Sequence, residues 1–337
     1  MKEELLIIIT SANAVKYTEK CLDSLCPRWS ENIIIIDDAS MEPIEEICEK
    51  YKVRLIKKER PSGCTDSWNR GALLFKNLKK AKYCLISNND VIFSKNSIDF
   101  LLDDFKYHDL YLIGPMTNNP GHKPKQHINT LITQLEYSTN ELERKKLIDW
   151  VQETILRISL LKNETVKIVS GINGFCFLFD KRIFEFSFDD KHLFNPKFIN
   201  IGNEDWLCER IYEKTDSKIG ISLRSYVFHY KSKSVLPPGY PPELRNKIWN
   251  QISSHKYYIN DVNKGKGNTT NSKGGVKMKI EEKIREILRQ YKYKCCDCIC
   301  SAENVTKYCF VNKEWCDWTD AIEELIDLFR TYTKETL

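Results

Sequence analysis

The stretch "LISNNDVIF" (85–93) runs from apolar strand formers into Asn88, Asn89 and Asp90. Two amides and a carboxylate at the end of a strand suit a turn, because short polar side chains bond their own backbone there. A carboxylate in that place also suits a hard divalent cation, which prefers carboxylate, carbonyl and water oxygens. A second strand-like run, "NIIIIDD" (32–38), ends in Asp37 and Asp38. Either acid suits a hydrogen bond from a base or a ribose, and Asp37 equally suits a turn or a helix cap. "NEDWLCERIYEK" (203–214) opens a helix with Asn203 as expected N-cap, then Glu204 and Asp205. The helix dipole favours the ionised form of acids in a first turn, as a proton acceptor requires. Acids are common there for capping alone. His229 stands alone in the apolar run "SYVFHY". Alone it reads as a satisfied core histidine, and the "YKSKS" that follows brings the ligand reading level with that one.

Those groups must be carried by a framework. "LLIIIT" (5–10) and "NIIIIDD" read as strands buried on both faces. "VRLIKK" (53–58), "YCLIS" (83–87) and "LYLIG" (110–114) read as further strands. Helices are expected at 17–26, 43–51, 66–80 and 97–105, the third with Trp68, Ala72 and Phe75 in one stripe. Repeated β-α-β units imply a mostly parallel sheet with helices on both faces. Ligands bind such sheets beyond the carboxyl ends of the strands, where Asp37, Asp38 and Asp90 fall. Residues 129–162 read as a helical insertion, 167–180 and the segments "KIGIS" and "SYVFHY" as strands, and "VLPPGYPPE" (235–243) as a proline-stiffened loop. The expected division is a catalytic domain over 1–235, a loop and helix over 236–263, a flexible linker over 264–277 and a small helical, cysteine-rich region over 278–337.

The 337 residues carry a net charge of +5, too modest and too dispersed for a dedicated nucleic-acid binder. The longest apolar runs are too short to span a bilayer, and "MKEELLIIIT" lacks the basic start of a secretory signal. A cytoplasmic chain, peripheral to a membrane at most, is expected. The Asn-x-Thr triplets at Asn163, Asn268 and Asn304 then read as chance matches. Six of the thirteen cysteines crowd between Cys295 and Cys316. "CCDCIC" lacks paired Cys-x-x-Cys units, so free thiols are expected ahead of a zinc site.

If the ligand is a nucleoside diphosphate, its phosphates need charge compensation. The chain has no Gly-x-x-x-x-Gly-Lys loop, which leaves a divalent cation held by one or two carboxylates as the usual substitute. Here a resemblance becomes specific. "IIITSAN", "IIIIDDAS", "RPSGCTDSWNRGALL", "LISNND", "IGPMTNNPG", "GFCFLF", "IGNEDWLCERI" and "VFHYKSKS" occur in the order and spacing of family 2 glycosyltransferases, over roughly residues 4–235. The resemblance implies an α/β fold of the GT-A type, a Rossmann-like sheet flanked by helices, here with a helical, cysteine-containing C-terminal extension.

It implies a nucleotide-sugar donor, most simply UDP-linked, a glycan, lipid-linked glycan or protein hydroxyl as acceptor, and Mn2+ or Mg2+ as cofactor. By the same resemblance Thr10 and Asp38 contact base and ribose, with Arg70 as a further nucleotide contact. Asp90 binds the metal and Asn88 takes the place of the first acid of the commoner Asp-x-Asp pattern, with Asn89 in the turn beside the donor. His229 is a second metal or diphosphate contact, and Lys231 neutralises phosphate. Asp205, with Glu204 second, is the base of an inverting single displacement. The pattern here is Glu-Asp-Trp-Leu where many relatives have Glu-Asp-x-Asp-Leu. The C-terminal region is assigned to acceptor choice, anchoring or homo-oligomer assembly. Competing readings are an inactive binding fold, a tail acting as a separate module, and a sugar-phosphate nucleotidyltransferase; the last wants a Gly-rich loop that "TSANAVKYT" lacks.

Overall fold

The computed structural model describes residues 4–119, 126–128, 141–230 and 240–252. Apolar runs become strands: β1 (Leu5–Ser11) and β2 (Ile33–Asp37) are buried at every position. They alternate with helices α1 (Val15–Leu25), α2 (Glu45–Tyr51), α3 (Cys64–Asn77) and α4 (Ser97–Tyr107). Strands β3 (Arg54–Lys57), β4 (Tyr83–Asn88), β5 (Val91–Phe93) and β6 (Leu112–Thr117) complete the first half. Then come α5 (Glu141–Lys162), β7 (Val166–Ile168), β8 (Cys176–Asp180), α6 (Asn203–Thr215) and β9 (Ile219–His229). A last helix, α7, occupies 242–252.

All nine strands join one mixed sheet in the order β3-β2-β1-β4-β8-β6-β9-β5, with β7 on β9. The first four are parallel, whereas β8 runs antiparallel to both β4 and β6. Register aligns the exits: Thr10 lies beside Ile36 and Asn88, and Ser11 beside Asp37. Alternate residues of each strand serve opposite faces. Ile7, Ile9, Ile33 and Ile35 pack with Cys21, Leu22, Ile98 and Leu101 of α1 and α4. Leu6, Ile8, Ile34 and Ile36 pack with Trp68, Ala72 and Phe75 of α3, the stripe expected from the sequence. Gly71 seats α3 on the sheet: a Cβ there would stand 2.7 Å from Ile8 Cγ2.

Some elements differ from the sequence reading. "LISNNDVIF" is not one strand with a tail. The chain leaves β4 at Asn88 and starts β5 at Val91, and β5 pairs antiparallel with β9 at the far end of the sheet, Val91 opposite His229. "KIGIS" and "SYVFHY" are one eleven-residue strand, β9. The polar residues that interrupt its apolar pattern are satisfied: Ser222 Oγ donates to Asp104 at 2.6 Å, and Arg224 Nε to the same carboxylate at 3.0 Å. The stretch 167–180 is two strands, β7 and β8, separated by residues 169–175. Helix α3 starts and ends two to three residues before the expected 66–80. The N-cap of α6 is Gly202 at φ +88°, not Asn203, because Asn203 is buried and donates to Thr65 Oγ1 at 2.9 Å.

Helix α5 belongs to the same body as the strands. Ile148, Val151 and Ile155 pack on Tyr226 and Phe228 of β9. The remainder of the expected insertion, the linker at 264–277 and the cysteine-rich region lie outside the described residues. Among the described residues no helix is long and apolar enough to cross a membrane.

Candidate functional site

The β4–β5 junction places Asp90 against the end of β9. Tyr230 N donates to the Asp90 carbonyl at 2.9 Å, and Asp90 Oδ1 faces His229 Nε2 at 3.3 Å. Both side chains are buried. The distance is that of an ion pair, yet His229 Nε2 has no hydrogen bond among the described residues. The other ring nitrogen decides the tautomer. Nδ1 lies 2.9 Å from the Asn119 carbonyl, which can only accept, so Nδ1 carries the proton. Nε2 is then the ring nitrogen turned toward Asp90. Asn118 fixes the segment by bonding both the N–H and the carbonyl of His229, and the Phe175 ring stacks on the imidazole at 4.9 Å. A carboxylate oxygen and an imidazole nitrogen held face to face are ligand types that suit a divalent cation. Among the described residues no group of three or more His, Cys, Asp or Glu side chains could hold a metal ion.

Next to this junction is a cleft open to solvent at the carboxyl ends of β1, β2 and β4. Thr10, Asp38 and Asn88 line it together with Ser11, Ala12, Cys64, Ser67, Asn200 and Tyr240. Asp90 and His229 are not among its lining residues, whereas Asn88, two positions before Asp90, is. Asn89 is wholly buried, and its amide donates to Thr18 Oγ1 at 2.9 Å and Ser11 Oγ at 3.2 Å. Its side chain thus ties the β4 exit to the β1 exit instead of facing the cleft. Asp37 is also a turn residue: it accepts from both the N–H and the hydroxyl of Ser40, and burial raises its carboxyl above the usual range.

Asp38 is held from several sides. Its oxygens accept from Ser62 N and Gly63 N, each at 2.9 Å, and from the Tyr240 hydroxyl, and they pair with Lys58 Nζ at 2.5 Å. Gly63 sits at φ +94° with no room for a Cβ, which would lie 2.4 Å from Ile199 Cγ2. The Lys58 side chain is only 1% exposed and also bonds Asp66 at 3.0 Å. Arg70 lies on the outer face of α3, half-exposed, with its Nε on Asp66 at 2.9 Å and outside the cleft lining. Removing one partner of a buried pair leaves an uncompensated charge. Lys58→Met is therefore expected to destabilise the fold by about 3 kcal/mol, the lower end for such a loss because two amides still hold Asp38. Urea unfolding reads this out; a loss below about 1 kcal/mol, the surface-pair range, would contradict it.

The start of α6 is tied to α3, whose Cys64 and Ser67 line the cleft; Glu204 and Asp205 are not among its lining residues. Thr65 N donates to the Ile199 carbonyl and Cys64 N to Asn200 Oδ1, so the starts of the two helices are stitched together. Glu204 and Asp205 are half-exposed in the first turn. Glu204 Oε1 accepts from Gly174 N at 3.3 Å. A Cβ on Gly174 would collide with Trp68 at 2.5 Å and touch Glu204, so the backbone approach needs glycine. Trp206 packs edge-on against Phe188 and under Arg210. The Cys64 thiol is pushed far up by burial first, then by the Glu204 and Asp38 charges, which makes it an inert wall. Lys231 lies outside the described residues.

Sequence reasoning missed Lys58, Cys64, Asn200 and Tyr240. The one signal for Lys58 was a lysine at the end of a strand-like run beside "DD"; Tyr240 sat inside what read as a stiff loop. The family model described as glycosyl transferase family 2 matches residues 6–188. No curated protein matches the chain. Solved structures similar to it include GalNAc-T7 with UDP, GalNAc and Mn2+, at 15% identity and TM-score 0.47, covering 75% of this chain and 50% of that one. This chain thus spans half the length of that protein. S. aureus TarS 1-349 has 15% identity and TM-score 0.45, covering 84% and 78%. Glucosyl-3-phosphoglycerate synthase from Mycobacterium tuberculosis, in complex with Mn2+, UDP and glucosyl-3-phosphoglycerate, has 12% identity and TM-score 0.43, covering 76% and 80%. With more than half of its residues matched by the family model, from β1 through β8, the chain belongs to glycosyl transferase family 2.

Proposed function

We propose that the protein transfers a sugar from a UDP-linked donor to a hydroxyl acceptor, with inversion and with a divalent cation, Mn2+ or Mg2+. The observation that carries the reading is the Asp90–His229 pair, a carboxylate oxygen and an imidazole nitrogen facing each other at 3.3 Å near a strand-end cleft. Asp90 and His229 would hold the cation, which would offset charge building on the departing diphosphate. Thr10, Asp38 and Asn88 bind the nucleoside and the near phosphate in the cleft. Arg70, tied to Asp66, acts on the nucleotide only from outside that wall, and Lys231 remains a phosphate contact by resemblance.

The acceptor hydroxyl approaches from the α6 side. Asp205 takes its proton as the oxygen attacks the anomeric carbon, and the bond to the diphosphate breaks on the opposite face. Glu204, with one oxygen on the Gly174 amide, holds the helix start in place. The acceptor is a glycan, a lipid-linked glycan or a protein hydroxyl, and family membership favours UDP as carrier.

A panel of nucleotide sugars incubated with and without Mn2+ tests this. UDP-sugar consumption that depends on Mn2+ and stops with chelator is the expected result. Failure to bind or consume any sugar nucleotide would overturn the transferase reading in favour of an inactive binding fold.

A further inference from the structure

A carboxylate offers about four acceptor sites, and Asp38 has four donors on it: Lys58, Ser62 N, Gly63 N and the Tyr240 hydroxyl. A nucleoside that bonds Asp38 must therefore displace one of them. Three are fixtures. Lys58 is buried and pinned between Asp38, Asp66 and Ser62 Oγ. The Ser62 and Gly63 amides are backbone groups, and Gly63, at φ +94°, is wedged against Ile199. Of the four, only Tyr240 lines the cleft. We propose that Tyr240 is a latch on the donor site: its hydroxyl occupies the place on Asp38 that a donor group of the incoming nucleoside takes over. This rests on the donor-cleft reading above.

The latch is mounted on the fold rather than on the match to the family, which stops at residue 188. Tyr240 precedes α7, and it packs with Ala12 of the β1 exit and with Ile248 of that helix. Gln251 of α7 accepts from Ile199 N at 2.8 Å, so the helix also grips the segment that wedges Gly63. Burial and the Asp38 charge push the Tyr240 phenol far up, so it stays protonated and always donates. The exchange has a consequence for selectivity. A nucleoside with a group to donate restores the bond that Tyr240 gives up. One without such a group leaves a buried acceptor unfilled, which is disfavoured. Ring N–H and ribose hydroxyl share this chemistry.

The test is calorimetric titration of UDP, with Mn2+, into the unchanged protein and Tyr240→Phe, whose folding is checked by circular dichroism. Removing the competing hydroxyl is expected to tighten UDP by about tenfold, the lower end for a hydrogen bond to a charged group. Loss of that gain with 3-methyl-UDP assigns the exchange to the base, and loss with 2′-deoxy-UDP assigns it to the ribose. Equal or weaker UDP binding by Tyr240→Phe would overturn the latch while leaving the donor site intact. Absence of nucleotide binding by both proteins would overturn the donor-cleft reading and the latch together.

Discussion

Asp90→Ala lowers Mn2+-dependent turnover by about a thousandfold or more, because the charge stabilisation it would support is worth several kcal/mol and each 1.36 kcal/mol is a factor of ten. The size follows from the geometry. Asp90 is the acidic partner of His229 at the β4–β5 junction, and no third side chain of the kind that holds metals joins them among the described residues. Asn88, at the place of a first acid, supplies an oxygen but no charge. Asp90→Asn keeps the shape and the hydrogen-bonding capacity, so it separates lost charge from lost packing. Both variants are expected to keep the native circular dichroism spectrum and to lose stimulation by Mn2+. The measurement is initial rate against Mn2+ concentration. Either variant retaining turnover within tenfold of the parent would remove Asp90 from the metal site.

Asp205→Asn lowers kcat by about 10²–10⁴-fold with little change in the donor KM, the range for losing a positioned general base. An amide cannot take the acceptor proton, whereas the donor cleft of Thr10, Asp38 and Asn88 lies on other elements. Glu204→Gln is expected to cost less, about tenfold, since an amide oxygen still accepts the Gly174 N–H and holds the helix start. The comparison is decisive because the two residues are adjacent and both partly buried. A larger loss from Glu204→Gln than from Asp205→Asn would exchange their roles. Steady-state kinetics with a fixed acceptor and varied donor reads both.

Much of the framework is legible in the sequence for a simple reason. Runs such as "LLIII" and "IIII" have no polar face and so must be buried on both sides, which forces helices onto both faces of the sheet. The Trp68, Ala72, Phe75 stripe then says which side of α3 turns inward. Strand exits follow from where the apolar runs stop, which is why Asp38 and Asp90 stood out. Local pattern is silent where a choice depends on a partner far along the chain. Asn89 and Asp90 are neighbours of similar chemistry, yet one amide is buried against Thr18 while the other side chain meets His229, 139 positions away. Lys58 read as a strand-end lysine until Asp38 and Asp66 closed round it.

The sequence by itself determined the layered α/β framework, the strand exits where chemistry gathers, and the motif order that marks the family, because hydrophobic burial and turn chemistry act through residues close in the chain. The tertiary structure alone decided which polar groups meet. It sent β5 across the sheet so that Asp90 met His229, buried a lysine under Asp38, and brought Tyr240 back into the cleft. Those encounters depend on strand pairing and helix seating between distant segments, where the alternatives differ in geometry and not in composition.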